Sequence, residues 1–292
     1  MATQEIQDNG NNPEIKIVTP AANRVRASAP ILILAILFVV ASFLTWYLTW
    51  FGRGLSDSEI TKYLNDEKHP RHVQHALLQI QQRIERGDKS TKQWYPQIIA
   101  LSGSPETEFR LTVAWLMGAE NTSEEFHNTL NKLLQDPEPI VRRNAALALV
   151  RFNDPSGRPE FTAMLQPFTV NAPATGILLN SLSTGAQISR GSLLGRIQQP
   201  SGQITEIRSP LFGKVERILV VNSANVSKGD AVLTMRSDEA SIWEALRGLS
   251  VVGRDEDMPL IERYASGAEP VSDRTKQQAA LTVNAIKSRS KL

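Results

Sequence analysis

The sequence predicts a multidomain α + β chain with three parts: a single N-terminal transmembrane helix, a block of α-helical repeats, and an all-β segment inserted into that block. Three observations carry this. Residues 31–51 form an uncharged apolar run. Apolar residues recur at three- and four-residue steps over 56–168 and again over 239–288, the period of amphipathic helices. Between them, residues 170–237 change to short alternating apolar runs punctuated by glycine, the mark of strands and turns.

A chain of 292 residues has room for about two domains. Its 41% hydrophobic and 21% charged content is that of folded protein. The 32 basic and 30 acidic side chains leave a net charge of +2, which provides no concentrated basic face for nucleic acid. The absence of cysteine excludes disulfides, thiolate zinc sites, iron–sulfur clusters and cysteine nucleophiles.

Taken in chain order, residues 1–28 read as a flexible tail rich in Asn, Gln, Ala and Pro, and 29–52 as the transmembrane helix. The run 31–51 would be about 31 Å long as a helix, the thickness of a bilayer's hydrocarbon core. Trp46, Tyr47, Trp50 and Phe51 crowd one end, where amphipathic rings favour the headgroup region. Pro30 fits the first helical turn without loss of a hydrogen bond. A cleaved signal peptide would have a shorter apolar region and a small-residue cleavage site, and a core helix would show a polar stripe. Lys16, Arg24 and Arg26 precede the run, while Arg53 and Lys62 follow it. This balance favours a cytoplasmic N-terminus. The expected location is the inner (cytoplasmic) membrane, single-pass, with the C-terminal domains periplasmic or otherwise extracytoplasmic.

Within 56–168, three segments starting at His69, Ser104 and Asp136 share a grammar: a His/Ser/Asp–Pro start leading into an amphipathic helix. The second and third align at an offset of 32 residues, pairing Pro105 with Pro137, Phe109 with Val141, Arg110 with Arg142 and Ala114 with Ala146. Periods in this range indicate stacked helix pairs, although a generic helical bundle shares the amphipathic pattern. The set Asp136, Pro137, Val141, Arg142, Ala145 and Ala146 resembles HEAT and HEAT-like repeats. That resemblance implies close helix packing at the alanines and a structural arginine in the ladder between repeats. Residues 239–288 return to the same style, with Ala279 and Ala280 matching the alanine pair. These last helices are expected to pack back on the first block.

The β segment is an internal duplication. Ala172, Pro173 and Gly176 are echoed by Ser209, Pro210 and Gly213. Ile188, Gly191, Leu194 and Ile197 are echoed by Val226, Gly229, Val232 and Met235. Two such copies can pack face to face as a small sandwich. In both halves the segment resembles the biotinyl/lipoyl domain superfamily, implying an all-β barrel-sandwich hybrid. One departure is Ser223, which stands where the second half should repeat Gly185. Modified members of that superfamily carry a lysine at the hairpin joining the halves. The corresponding stretch, 198–203, contains none, and Lys214 and Lys228 lie elsewhere. The closer resemblance is to the unmodified lipoyl-like domain of membrane-fusion proteins, the periplasmic adaptors of secretion and efflux systems. Their long helical hairpin between the halves is replaced here by about a dozen residues.

No phosphate-binding glycine loop, nucleophile elbow or zinc-protease motif is present. His69, His72 and His75 form the one histidine cluster, but no acidic ligand follows them at a supportive spacing, and they read as a solvated helix start. Asp255, Glu256 and Asp257 read as a helix-start loop favoured by the helix dipole. Asn121–Thr122–Ser123 and Asn225–Val226–Ser227 match a glycosylation triplet, and Trp115 and Trp243 read as core. No catalytic, cofactor-binding or metal residue is assigned. The sequence therefore leads to a membrane-anchored, non-enzymatic scaffold or adaptor. Its expected partners are proteins, among them membrane transporter or secretion components, with the membrane contacted through 31–51 and no nucleic acid. The alternative is a biotin- or lipoate-type carrier subunit of a multienzyme complex, and a glycan-binding module is a third reading.

Overall fold

The computed structural model describes residues 29–46, 54–180 and 182–291. The chain divides into two compact units, 1–53 and 54–292. The predicted tail 1–28, and the end of the predicted span over 47–51, lie outside the described residues.

In the first unit, α1 (Ala29–Trp46) has 18 residues, about 27 Å at the α-helical rise. Only the first part of the expected span lies within the described residues, and among these no helix is long and apolar enough to cross a membrane. The large apolar side chains of α1 are nevertheless exposed, Ile31, Leu34, Leu37, Phe38 and Phe43 among them.

The second unit opens with α2 (Asp57–Leu64) and α3 (Pro70–Glu85). Helices α4 (Tyr95–Leu101), α5 (Thr107–Met117), α6 (Glu124–Leu133), α7 (Pro139–Val150) and α8 (Arg158–Met164) follow. Local chemistry sets many of the starts. Ser56 and Glu59 form a reciprocal capping box on α2, and Ser123 caps α6, satisfying amides that a helix start leaves unpaired. The predicted Pro starts are met in two ways. Pro70 is the first residue of α3. Pro105 and Pro137 instead lie two residues before α5 and α7, and an arginine side chain reaches back to the carbonyls there. Arg110 Nη1 donates to Ser104 O at 2.9 Å, and Arg142 Nη1 to Asp136 O at 2.8 Å.

After the strands come α9 (Glu239–Val252), α10 (Met258–Ala265) and α11 (Asp273–Arg289). Helices α3, α5, α7, α9 and α11 pack in succession as a ladder. One apolar core runs from Leu55 to Leu149, and a second joins Ala146, Phe161 and Leu165 to Ile242, Leu249, Ile261 and Ile286. The C-terminal helices thus pack on the first block through α7 and α8. Ala145 and Ala146 are both buried, whereas of the matching pair Ala279 is buried and Ala280 exposed.

Among the described residues, eight strands lie between α8 and α9: β1 (Phe168–Asn171), β2 (Gly176–Leu179), β3 (Gln187–Ile188), β4 (Leu193–Gln198), β5 (Ile204–Arg208), β6 (Gly213–Ile218), β7 (Asn225–Val226) and β8 (Ala231–Ser237). They form two four-stranded sheets, in the orders β1-β8-β6-β3 and β5-β4-β2-β7, and every pairing is antiparallel. Exchanging β1–β4 with β5–β8 turns one order into the other, so the sequence duplication is also a structural one. Its bonds occur in equivalent pairs. Gly191 N donates to Ser209 O at 2.7 Å and Gly229 N to Ala172 O at 2.8 Å; Gly185 N donates to Val215 O at 2.9 Å and Ser223 N to Leu178 O at 2.7 Å. Ser223 adopts φ +66°, in the left-handed region where Gly185 stands at +91°. The departure seen in the sequence therefore leaves the turn's geometry in place and puts its steric cost on a serine. Phe168 of β1 pairs with Met235 of β8, which brings the two ends of the insertion together beside α8 and α9.

Candidate interaction surface

The ladder is held by arginines that link successive repeats. Arg110 donates to Asp136 through Nε at 2.7 Å and Nη2 at 3.1 Å, a two-pronged pair with side chains only 11% and 5% exposed. One repeat later, Arg142 Nε donates to Glu160 Oε1 at 2.8 Å. The carboxylate holds the Arg110 guanidinium above its ordinary range. Planar two-point contacts of this kind set geometry as well as charge.

Along α5, α7 and α9 lies a cleft of about 510 Å³ lined by Trp115, Gly118, Ala148, Arg151, Arg247, Gly248 and Val251, with others. Trp115 is 52% exposed and Val251 41%. This corrects the core assignment of Trp115. Phe109, Val113, Ala114, Leu116 and Met117 fill one side of α5, and steps of about 100° per residue put Trp115 opposite their mean direction. The signal available in the sequence was the run Ala114–Met117, which has more apolar residues than one helix face can bury. Trp243 is half-buried, with Arg247 and Arg274 over its ring at 4.8 and 4.4 Å, a cation–π arrangement.

The β insertion adds a second exposed apolar set. Ile177, Leu179 and Ile204 are exposed. Ile177 is in register with Gln198, which is in register with Ile204, so these side chains share the outer face of one sheet. The insertion is tied to the helices by charge. Arg190 pairs with Glu108. Arg236 pairs with Glu216 at 3.1 Å, and its Nη1 lies 2.9 Å from Glu269 in an ion pair not aligned as a hydrogen bond. Arg143 is buried, with Nη2 3.4 Å from Ser237 Oγ; burial pushes its guanidinium down to about 10.

The acidic run has a structural partner. Arg158 of α8 holds Asp257 through Nε at 2.7 Å and Nη2 at 3.0 Å, and also pairs with Glu256. Tyr264 donates to Leu165 O at 2.8 Å beside this clasp. Together these contacts close the helical block where the strands interrupt it. Asn121 Nδ2 donates to Arg151 O at 3.0 Å, and Asn225 lies in β7. The β4–β5 turn, closed by Gln199 N to Gln203 O at 2.9 Å, is the lysine-free stretch. Lys214 is in β6, and Lys228 is in the turn before β8.

The histidines separate. His69 Nδ1 and His72 Nδ1 each lie 2.8 Å from a different oxygen of Asp66. His75 Nε2 lies instead 2.9 Å from Gln79 Nε2, and burial, then the charge of His72, lowers its pKa. The acidic partner of these histidines stands upstream, three residues before His69, and not downstream.

A family model described as HEAT repeats matches residues 95–169, and the chain contains HEAT-like helical repeats within a multidomain α + β fold. No curated protein matches the chain. Among solved structures, that of a single-chain, multi-domain long-chain acyl-CoA carboxylase is 18% identical with a TM-score of 0.24, over 43% of this chain and 10% of that one. The chain thus spans a tenth of that carboxylase, and at such a score the likeness bears on neither fold nor function.

Proposed function

We propose that this protein is a membrane-anchored, non-enzymatic scaffold that docks protein partners in an envelope complex of transport or secretion. The observation that carries the reading is the cleft on the ladder, where Trp115 and Val251 stay exposed although Ala114, Leu116 and Val252 beside them are buried. Stacked repeats commonly present such surfaces to protein ligands, and an exposed tryptophan is a frequent anchor of binding energy. The anchor rests on α1, whose large side chains are apolar and exposed, together with the uncharged sequence that continues to Phe51. The single-pass inner-membrane location, with the folded parts extracytoplasmic, is part of the same proposal.

The reading of the β insertion as an unmodified lipoyl-like domain is supported by its two interchanged four-stranded sheets. As a carrier domain it would need a modified lysine, and the β4–β5 turn has none.

A photo-crosslinking residue at Trp115 or Val251 tests the reading in solubilised membranes, with one at Arg208 on the β insertion as control. A discrete adduct is expected from the first two positions, and Trp115→Ala should weaken partner recovery at least about tenfold, as loss of an anchor does. Extraction of the full chain by alkaline carbonate, or a biotin or lipoate mass adduct, would overturn it.

A further inference from the structure

We propose that Asp66, His69 and His72, at the turn joining α2 to α3, form a binding site for a divalent transition-metal cation of the zinc type. Two imidazole nitrogens converge on one carboxylate, each 2.8 Å from a separate oxygen. One ligand atom from each of the three residues lies within 4.8 Å of the others. Zinc bonds of about 2.0–2.1 Å in a tetrahedral site put neighbouring ligand atoms about 3.3 Å apart. The separations in the cluster, from 2.8 Å to at most 4.8 Å, bracket that value, so side-chain rotation that closes the longest of them by at most about 1.5 Å would admit the ion. The cation would take the Nδ1 lone pairs, with the ring protons moving to Nε2.

The backbone already holds this geometry. His69 N donates to Asp66 O at 2.9 Å and His72 N to His69 O at 2.8 Å, so two successive turns carry the three ligands. His72 stacks on Tyr63 with centroids 4.3 Å apart and planes 9° from parallel, which fixes its ring plane. The side chains of His69 and His72 remain 65% and 41% exposed, leaving solvent access for a water or a partner's ligand in the fourth position. Two imidazoles and one carboxylate select zinc, copper or nickel over magnesium and calcium, which prefer all-oxygen sites. A bound ion would tie the turn that follows α2 to the first turn of α3.

The test uses the untagged full chain in detergent, stripped with a chelator and titrated with zinc chloride against a chromophoric competitor. One equivalent should bind, and zinc should raise the melting temperature. His69→Ala and His72→Ala should each weaken binding at least about tenfold and abolish the thermal shift. His75→Ala should change neither. Asp66→Asn, which keeps the shape and removes the charge, serves if the alanine variants fail to fold, and should also cost at least about tenfold. Unchanged zinc affinity in the folded His69→Ala/His72→Ala double variant or in Asp66→Asn, or absence of stoichiometric binding in the parent, would overturn the proposal.

Discussion

The helical ladder and the β insertion both repeat, but by different operations. The ladder repeats by translation: Arg110 grips Asp136, and 32 residues later Arg142 grips Glu160. The insertion repeats by exchange, each sheet taking strands from both halves. An exchange of two copies closes on itself and leaves no further copy to add. A translational stack ends at a face with no next neighbour and presents a continuous flank along its length. This difference explains why the exposed tryptophan belongs to the ladder, and why the closed β unit can sit between α8 and α9 without breaking it.

Substitutions can break either operation separately. The largest effect is expected from Arg110→Ala, which leaves the Asp136 carboxylate buried without its partner. Such a loss costs about 3–5 kcal/mol, read by urea unfolding, with amide exchange accelerated first in α5–α7. A cost equal to that of the exposed pair variant Arg208→Ala would show that the ladder does not depend on its arginines.

Next come Gly176→Ala and Gly213→Ala. A Cβ at each would lie 2.3 Å from the carbonyl oxygen of Gln198 or Arg236, respectively. Each should cost about 1–3 kcal/mol. Because the sites are equivalent in the duplication and meet the same carbonyl contact, thermal melts should show similar losses for the two variants. A large difference would mean that the exchange symmetry is only topological.

Acid should weaken the ladder. Burial by itself would raise the carboxyl of Asp154, but bonds from Ser156 N at 2.8 Å, Asn131 Nδ2 at 3.0 Å and His127 Nε2 at 2.6 Å hold it well below the usual range. A depressed folded pKa contributes stability above the unfolded value of about 3.9, and that contribution is lost as pH falls through the folded one. Melting temperature should therefore drop below about pH 4 in the parent, and less steeply in Asp154→Asn. The smallest effect is expected from Ser223→Gly, which relieves the left-handed serine and should stabilise by under about 1 kcal/mol. Destabilisation would instead show that the serine side chain contributes to the turn.

Much of this organisation is legible along the chain. The arginine pair, the alanines and the doubled glycine spacing are local patterns, and helices and strands write their periods into adjacent residues. Less legible is which side of an element finds a neighbour. Trp115 sits in an apolar run and reads as core, yet α5 buries other positions. Asp66 belongs to a turn, and its approach to two histidines depends on how that turn folds back. The predicted apolar run 31–51 is described only to residue 46, within an 18-residue helix that begins at Ala29.

By itself the sequence determined the alternation of helical and β segments, the 32-residue repeat and the duplicated β halves, because each is a periodicity that neighbouring residues impose on their own backbone. Only the tertiary structure decided that Ser223 takes the glycine's left-handed place, that the ladder runs on from α7 to α9 past the insertion, and that its flank keeps an open cleft. Those outcomes depend on contacts between residues far apart in the chain, whose energies come from packing and burial that no local pattern records.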